Sequence, residues 1–338
     1  MENFINNVNI RNFKSITELK LEDCRRINIF IGYPNVGKSN VLEALGLFSL
    51  PFLEERENLK KLVRVKNAVE LFNCFSEQYI STIDTDNQKI KIELNSPELE
   101  ISIKKEETEM LFFFDNNIDL FSKGNIKYSR NLFTKFTSDI KRYIFSPNNL
   151  YFSSGETQLL PPFGENIIDV LSHGQNMADV REFIKNEFEK FGLQLVLNKK
   201  DKSFLVQQKV SKEMVLLLPY SSIADTLQRV IFFKTAIASN KSSILLFEEP
   251  EAHAFPPYIG NIIQDIIEAK NNQFFMATHS PLVINDFLEY EHLRQETSIF
   301  LFDFKNNQTT ARRLTDEEMD EVYNYGIDLF FNIESFLE

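Results

Sequence analysis

Apolar and polar residues follow different periods in different parts of this 338-residue chain. Alternation predicts two short strands within 4–21, an antiparallel sheet over 80–121 and a hairpin at 193–210. Short, largely apolar runs, which are typical of strands buried on both faces, occur at 26–31, 243–247, 273–277 and 298–303. Helical spacing, or a run of good helix formers, predicts helices at 41–48, 54–79, 179–191, 221–240, 257–270 and 315–331.

The order of these segments predicts an α/β fold. Buried strands alternate with helices between 243 and 331, which indicates a mixed, largely parallel core sheet. The alternating strands of 80–121 would form an antiparallel β subdomain. We expect a single domain over 1–338, with two lobes at 1–150 and 211–338 and a small helical and hairpin insertion at 151–210.

Composition narrows the class of protein. Hydrophobic residues make up 43% of the chain and charged residues 25%, as in ordinary globular proteins. Cys24 and Cys74 have no metal-binding or redox spacing, which favours a reduced, cytoplasmic setting. We recognise no signal peptide and no apolar stretch long enough to cross a bilayer, so we expect no membrane partner.

The net charge of the chain argues against a surface that binds nucleic acid throughout. A net charge of −12 is unfavourable for a generally basic surface that coats nucleic acid, although it allows a local basic groove. The clearest basic cluster is interpreted as one face of the helix predicted at 54–79, exposed to solvent; it contains Lys60, Lys61, Arg64 and Lys66.

The strongest chemical signal follows the first buried run. Gly32, four further residues, and then Gly37, Lys38 and Ser39 fit the spacing of a P-loop, with a predicted strand before them and a predicted helix after them. Backbone N–H groups and the positive end of the helix dipole then form an anion site. Lys38 would reach the β- and γ-phosphates of a nucleotide, and the Ser39 hydroxyl would bind Mg²⁺.

Two further buried runs end in residues suited to phosphate chemistry. Glu248 and Glu249 close the run at 243–247, and His279 follows the run at 273–277. Because ligands of open α/β sheets bind at the carboxyl ends of strands, we expect these side chains near the P-loop. Glu248 would bind Mg²⁺, Glu249 would polarise the attacking water and His279 would donate a hydrogen bond to developing charge, which makes Glu249, His279 and Lys38 the predicted catalytic residues.

A second nucleotide motif has a simpler explanation. Residues 198–201, Asn-Lys-Lys-Asp, match the guanine-reading motif of GTPases, yet no Asp-x-x-Gly switch separates them from the P-loop. Polar residues between two predicted strands are expected in any turn. We therefore interpret this segment as a turn and keep GTP preference as an alternative.

Together, the motifs resemble a known family. Residues 9–16 (Asn-Ile-Arg-Asn-Phe-Lys-Ser-Ile) with the P-loop, 245–253 (Leu-Leu-Phe-Glu-Glu-Pro-Glu-Ala-His) and 277–281 (Ala-Thr-His-Ser-Pro) resemble ABC-type P-loop ATPases of the OLD and RecF kind, with SMC proteins more distant. The resemblance covers roughly 1–50 and 215–305. It implies ATP and Mg²⁺ as cofactors and a homodimer that closes around nucleotide.

The resemblance also implies roles for individual residues. The Walker A loop falls on Gly32, Asn35, Val36, Gly37, Lys38, Ser39 and Asn40. Glu248 corresponds to the Walker B carboxylate, Glu249 to the catalytic glutamate and His279 to the switch histidine. The signature segment, which reaches the nucleotide of a second subunit, corresponds to 220–229, with Ser222 as the phosphate-facing serine at a helix N-terminus.

Several departures from the family pattern affect the expected function. Ala224 stands where the signature has glycine, Glu248 replaces the commoner Asp, and the loop glutamine has only Gln158 and Gln175 as candidates. We recognise no Toprim nuclease segment after the ATPase motifs, unlike in OLD proteins, and the central stretch has no sustained heptads, unlike in SMC proteins. We therefore expect an ATPase switch that acts on DNA or on a separate nuclease or effector, in phage defence or DNA repair. The alternative is a nucleotide-gated scaffold with little hydrolysis.

Overall fold

A computed structural model of the chain describes residues 4–53, 57–115, 117–123, 138–147, 154–198, 201, 203–211 and 213–337. Contacts divide the chain into two compact units. The first unit contains Met1–Arg142, Ser242–Glu249 and Gln273–Glu338, and the second contains Tyr143–Lys241 and Pro250–Asn272. The lobe boundary expected at 150–151 lies outside the described residues.

The elements follow the order that the hydrophobic pattern predicts, except that the helix at 54–79 is missing and a few elements are added. The N-terminal part contains β1 (Val8–Phe13), β2 (Ile16–Leu21), β3 (Ile27–Gly32), α1 (Lys38–Gly46), β4 (Ile80–Thr85), β5 (Gln88–Asn95), β6 (Glu98–Lys105), β7 (Thr108–Phe114), β8 (Leu120–Lys123) and β9 (Ile140–Tyr143). The middle part contains α2 (Ile167–His173), α3 (Ala178–Glu189), β10 (Leu193–Asn198), β11 (Ser203–Lys209), β12 (Val215–Pro219) and α4 (Asp225–Ser239). The last part contains β13 (Ile244–Glu248), α5 (Pro256–Glu268), β14 (Gln273–Ala277), α6 (Pro281–Leu288), α7 (Glu291–Glu296), β15 (Thr297–Lys305), β16 (Gln308–Arg313) and α8 (Asp316–Tyr325).

Two sheets build the first unit. An antiparallel sheet runs in the order β2-β1-β4-β5-β6-β7-β8, and a second sheet runs β16-β15-β3-β14-β13-β9. In the second sheet β3 pairs in parallel with both β15 and β14, and β14 pairs in parallel with β13. β16 is added antiparallel to β15. The predicted mixed α/β fold, with a parallel core and an antiparallel β subdomain, is therefore confirmed.

The P-loop strand β3 is buried along its whole length, which explains why its residues are largely apolar. The ring of Phe30 lies 5.0 Å from that of Phe302 and 6.1 Å from that of Phe275, centroid to centroid. These partners come from the two strands that flank β3. Neighbouring aromatic residues on both sides thus fix the strand that carries the phosphate-binding loop.

The second unit has its own sheet and core. β10 and β11 form the antiparallel hairpin predicted at 193–210, and β12, which was not predicted, pairs antiparallel with β11 as a third strand. Inside the unit Lys234 of α4 donates to both carboxylate oxygens of Asp265 of α5, at 2.8 and 2.7 Å. None of the helices in the described part of the chain reaches the length and hydrophobicity needed to cross a bilayer.

The prediction of a helix at 54–79 is wrong. Apart from 54–56, which lie outside the described residues, this stretch contains only two 3₁₀ turns, Leu59–Lys61 and Ala68–Leu71. The side chains of Asn58 and Asn67 accept backbone N–H groups at the starts of these turns. Such local hydrogen bonds offer the backbone an alternative to a continuous helix. Arg64 therefore lies on irregular backbone.

Candidate functional site

The Walker A loop joins β3 to α1 in the geometry of an anion cradle. Gly37 precedes the helix with φ at 104°, and Asn35 also has a positive φ, at 65°. A Cβ at Gly32 would lie 2.5 Å from the backbone oxygen of Phe302, so only glycine fits there. The side chain of Val36, within the loop, is buried. The first helical turn, which begins at Lys38, thus directs its free N–H groups toward the loop.

The side chain of Lys38 folds over the loop and hydrogen-bonds to its backbone. Its ammonium donates to the backbone oxygens of Gly32 at 2.8 Å and Tyr33 at 2.9 Å. Burial lowers the pKa of Lys38 to about 8, although the carboxylates of Glu249 and Glu248 oppose this shift. The lysine therefore changes charge within an accessible pH range.

We expect nucleotide affinity to fall as pH rises above about 8. Below that pH, Lys38 is already protonated in the free protein. Above it, a bound polyphosphate must raise the pKa of the lysine again, so binding takes up a proton and affinity falls by up to about tenfold per pH unit. Fluorescent-nucleotide titrations between pH 7 and 10 measure this slope. Lys38→Arg keeps its charge throughout and should flatten it.

The ends of three neighbouring strands bring the other predicted groups together. Register pairs Glu248 of β13 with Ala277 of β14, and Ala277 with Phe30 of β3. The backbone N–H of Glu249 donates to the oxygen of Ala277 at 2.9 Å, and Glu249 adopts a positive φ of 45°. The Nε2 atom of His279 lies 3.6 Å from Oε1 of Glu249, and both side chains are partly exposed.

Polar side chains from distant parts of the chain support the loop from behind. The Ser15 and Thr309 hydroxyls lie 2.7 Å apart, and the Asn40 amide donates to the Ser15 hydroxyl at 2.6 Å. A Cβ at Gly37 would lie 2.1 Å from Oγ1 of Thr309. Asn40 therefore contacts supporting residues, and Gly37 packs directly against β16.

Two arginines that the sequence pattern does not connect with Glu248 hold its carboxylate. Arg142 donates to its Oε2 at 2.7 Å and Arg64 to its Oε1 at 2.9 Å, while Ser39 also hydrogen-bonds to it. Burial raises the pKa of the Glu248 carboxyl, but Arg142, Ser39 and Arg64 outweigh burial and hold that pKa below its usual value. Behind Arg64 lies the fully buried Glu43, which also pairs with Lys14.

One residue of this network, Glu43, could have been recognised from the sequence. Glu43 is the one charged residue within the apolar stretch 41–46 of α1, and a buried carboxylate requires a cationic partner. Arg64 belongs to the basic cluster interpreted as the exposed face of a helix. Its side chain is indeed 64% exposed, but it lies on irregular backbone and pairs with Glu43 and Glu248. Arg142 lies 106 residues from Glu248 in sequence, so no local pattern joins them.

The remaining predicted residues lie in the second unit. Ser222 is exposed in a 3₁₀ turn, Tyr220–Ser222, and α4 begins only at Asp225, so the serine precedes the helix rather than capping it. Ala224 occupies the N-cap position and contributes no side-chain hydrogen bond. Gln158 and Gln175 are both exposed in this unit.

An oxygen ligand at the start of α1 and another at the end of β13 fit a magnesium ion. The Ser39 hydroxyl and the Glu248 carboxylate are in direct hydrogen-bond contact, so one ion can reach both. Mg²⁺ prefers such oxygen ligands and commonly takes one or two protein groups together with substrate phosphates. Within the described residues no group of three or more His, Cys, Asp and Glu side chains forms a separate metal cluster.

Sequence comparison places the chain in a family. The family model described as "AAA domain, putative AbiEii toxin, Type IV TA system" matches residues 27–285. The chain belongs to this AAA-domain family. The match contains the Walker A loop, the two strand-end glutamates and His279, and it also includes the second unit.

Individual relatives are more distant. The chain is 22% identical to an ATP/GTP phosphatase of Helicobacter pylori over 96% of this chain and 100% of the relative. It is 35% identical to an uncharacterised protein of Methanocaldococcus jannaschii over 101 residues, which cover 30% of this chain and only 41% of that relative. A 49-residue stretch, 14% of this chain and 9% of the relative, is 37% identical to protein ea59 of Escherichia phage lambda.

Solved structures agree on the fold. An SMC head bound to the C-terminal winged-helix domain of ScpA superposes with a TM-score of 0.51 at 14% identity, covering 93% of this chain and 99% of that chain. An SMC head with an extended coiled coil, bound to the C-terminal domain of ScpA derived from Pyrococcus furiosus, gives 0.50 at 12% identity over 95% and 99%. The family member described here therefore has the ABC-type P-loop ATPase fold.

Proposed function

We propose that the protein binds ATP with Mg²⁺ and hydrolyses it to ADP and phosphate. The observation that carries this proposal is the contact of His279 with Glu249 at 3.6 Å, at the strand ends beside a Walker A loop whose Ser39 is hydrogen-bonded to Glu248. The family match and the Helicobacter pylori relative named ATP/GTP phosphatase support the same chemistry.

Each residue contributes to positioning or to charge. Lys38 and the first turn of α1 would hold the phosphates, and a bound Mg²⁺ would neutralise part of their charge. Glu249 would orient and deprotonate water, and its side chain, which is 47% exposed, is accessible to solvent. His279, on the next strand end, would donate to the transferring phosphoryl group. Phosphate release that disappears in EDTA tests the metal requirement.

Ser222 would serve a second copy of the chain. We propose a homodimer in which the segment 220–229 of one copy closes over the nucleotide of the other, as in the OLD and RecF-like ATPases. The exposure of Ser222 in a turn before α4 is compatible with that role. We also propose that the whole chain acts as one ATPase domain, with 151–210 as its insertion.

We expect Ser222→Arg to reduce steady-state hydrolysis on the order of 100-fold, because the interface loses a phosphate-facing hydroxyl and gains a bulky cation. ATP binding by the monomer should stay within about twofold, because the change leaves the Walker A loop untouched. Phosphate release and equilibrium binding measure the two quantities, with the exposed Ser211→Arg as the control. Parallel loss of binding and hydrolysis would argue against the assignment.

We propose that opening and closing of the dimer acts on DNA or on a separate nuclease or effector, in phage defence or DNA repair. A subgroup close to OLD and RecF proteins is supported by the residues at 9–16 and 277–281 that resemble them. Stimulation of phosphate release by duplex DNA distinguishes a DNA-directed switch from one directed at a protein.

A nucleotide-gated scaffold with little hydrolysis is the second candidate. Two observations favour it: Ala224 stands at the N-cap of the signature helix, and both oxygens of Glu248 are engaged by arginines. Stoichiometric ATP binding without phosphate release would support the scaffold.

We expect ATP to be preferred over GTP. Asn198 and Asp201 hydrogen-bond to each other at 2.9 Å within the β10–β11 hairpin, as in an ordinary polar turn, while residues 199 and 200 lie outside the described residues. A turn that satisfies its own side chains gives no reason for guanine selectivity. Competition of labelled ATP by unlabelled GTP measures the preference, and Asn198→Ala should leave it unchanged. Tighter binding of GTP that Asn198→Ala abolishes would support the GTPase alternative.

A further inference from the structure

The Glu248 carboxylate has an arginine on each of its oxygens. Arg142 donates to Oε2 at 2.7 Å and Arg64 to Oε1 at 2.9 Å. The hydroxyl of Ser39, the other oxygen donor expected for Mg²⁺, hydrogen-bonds to the same carboxylate. The oxygens that a metal ion would use are thus occupied by cations of the protein itself.

The two arginines are held very differently. The Arg142 side chain is only 4% exposed, and its guanidinium also donates to the backbone oxygen of Leu62. A Cβ at Gly46 would lie 2.6 Å from Cδ of Arg142, so the side chain packs tightly against α1. Leaving this position would move a buried guanidinium away from its partners, which is costly.

The guanidinium of Arg64 can move away from Glu248 at a much lower free-energy cost. Its side chain is 64% exposed, and it lies on irregular backbone between two 3₁₀ turns. Its Nε donates to Glu43 at 2.6 Å, and Glu43 also pairs with Lys14. The guanidinium can therefore rotate away from Glu248 while Glu43 keeps a cationic partner.

We propose that Arg64 is a resident cation of Glu248 that a divalent metal ion displaces, whereas Arg142 anchors the carboxylate in both states. This inference rests on the proposed function, because it assumes that Ser39 and Glu248 bind Mg²⁺. A guanidinium and a divalent ion on one carboxylate oxygen repel each other at short range, and the exposed arginine moves more easily.

The exchange gives Arg64 a definite role. Without metal, it completes the neutralisation of Glu248 and keeps that side chain beside Ser39. With metal, its release couples the binding of the ion to the conformation of the loop 62–67, which carries Arg64. The concentration of metal needed to load the site is then set by the strength of the Arg64–Glu248 pair.

Metal binding in the presence of a non-hydrolysable ATP analogue tests this exchange. We expect Arg64→Gln to bind Mn²⁺ roughly three- to fivefold more tightly than the wild type, the upper part of the range for losing one partly exposed ion pair. The electron paramagnetic resonance signal of free Mn²⁺ measures the affinity without relying on turnover. Lys66→Gln removes the same charge from the same loop but lies outside the network, so its Mn²⁺ affinity should stay within about twofold of the wild type.

A double-mutant cycle separates displacement from a general charge effect. In a Glu248→Gln background, Arg64→Gln should no longer change Mn²⁺ affinity, because the competing pair is already absent. Nucleotide binding in EDTA and thermal unfolding show that each variant is folded. Arg64→Lys supplies a second variant whose shorter reach should give an intermediate affinity.

The outcomes also distinguish this inference from the proposed function. If Arg64→Gln binds Mn²⁺ as the wild type does, or more weakly, the displacement is overturned while the proposed ATPase stands. If the wild type binds nucleotide without any contribution from Mn²⁺, both are overturned. If Arg64→Gln binds Mn²⁺ more tightly but the wild type releases no phosphate from ATP, the displacement of Arg64 is supported and only the proposed hydrolysis is rejected.

Discussion

Glu249→Gln is expected to lower ATP hydrolysis by about 10²- to 10⁴-fold, the usual contribution of a general base. Glutamine keeps the shape of the side chain but cannot accept a proton from water. The residue is 47% exposed, so the change removes little packing. Its backbone geometry, with φ at 45°, is as accessible to glutamine as to glutamate. ATP affinity should therefore stay within about twofold of the wild type.

Single-turnover phosphate release and equilibrium ATP binding measure these two effects. Glu291→Gln, an exposed glutamate at the start of α7, is the matched control and should behave as the wild type. Equal slow rates in the wild type and in Glu249→Gln, with ATP binding intact, would reject the enzyme and leave the scaffold. A large loss of ATP affinity in Glu249→Gln would instead place the residue in ground-state binding.

Gly37→Ala is expected to abolish nucleotide binding at micromolar concentrations and to destabilise the first unit by about 2–4 kcal/mol. The new Cβ would lie 2.1 Å from Oγ1 of Thr309 and 3.0 Å from Oγ of Ser15, and φ at 104° is unfavourable for alanine. To relieve these contacts, either the loop or β16 must move. Movement of the loop removes the N–H groups that would hold phosphate.

Thermal unfolding and fluorescent-nucleotide binding measure the two effects of Gly37→Ala. Gly260→Ala is a suitable control because a Cβ in the middle of α5 meets no atom within 4 Å, so it should keep or raise stability. Thr309→Gly combined with Gly37→Ala removes the closest contacts and should restore part of the binding. Full binding by Gly37→Ala alone would show that the contact with Thr309 does not constrain the loop.

Local patterns predicted the elements that carry the site. The P-loop spacing located β3 and α1, and apolar runs located β13 and β14, because strands buried on both faces leave a strong signal. β16 was missed because Gln308–Arg313 is polar, and it exists by pairing with β15. Periodicity describes an element by itself and cannot reveal a strand that depends on its neighbour.

The electrostatics of the site could not be predicted for a related reason. Arg64 meets Glu248 across 184 residues of sequence, and Arg142 meets it across 106. A charge cluster in sequence indicates exposure to solvent on average. Only the tertiary structure shows that Arg64 from this cluster and the distant Arg142 both contact the carboxylate of Glu248.

The hydroxyl pair behind the phosphate loop has a consequence for protein synthesis. Ser15 and Thr309 meet across 294 residues, and β15 forms one of the two sides of β3. A ribosome therefore exposes the Walker A segment long before the residues that brace it emerge. Nascent and prematurely terminated chains should not capture ATP, so ATP capture would mark a finished molecule.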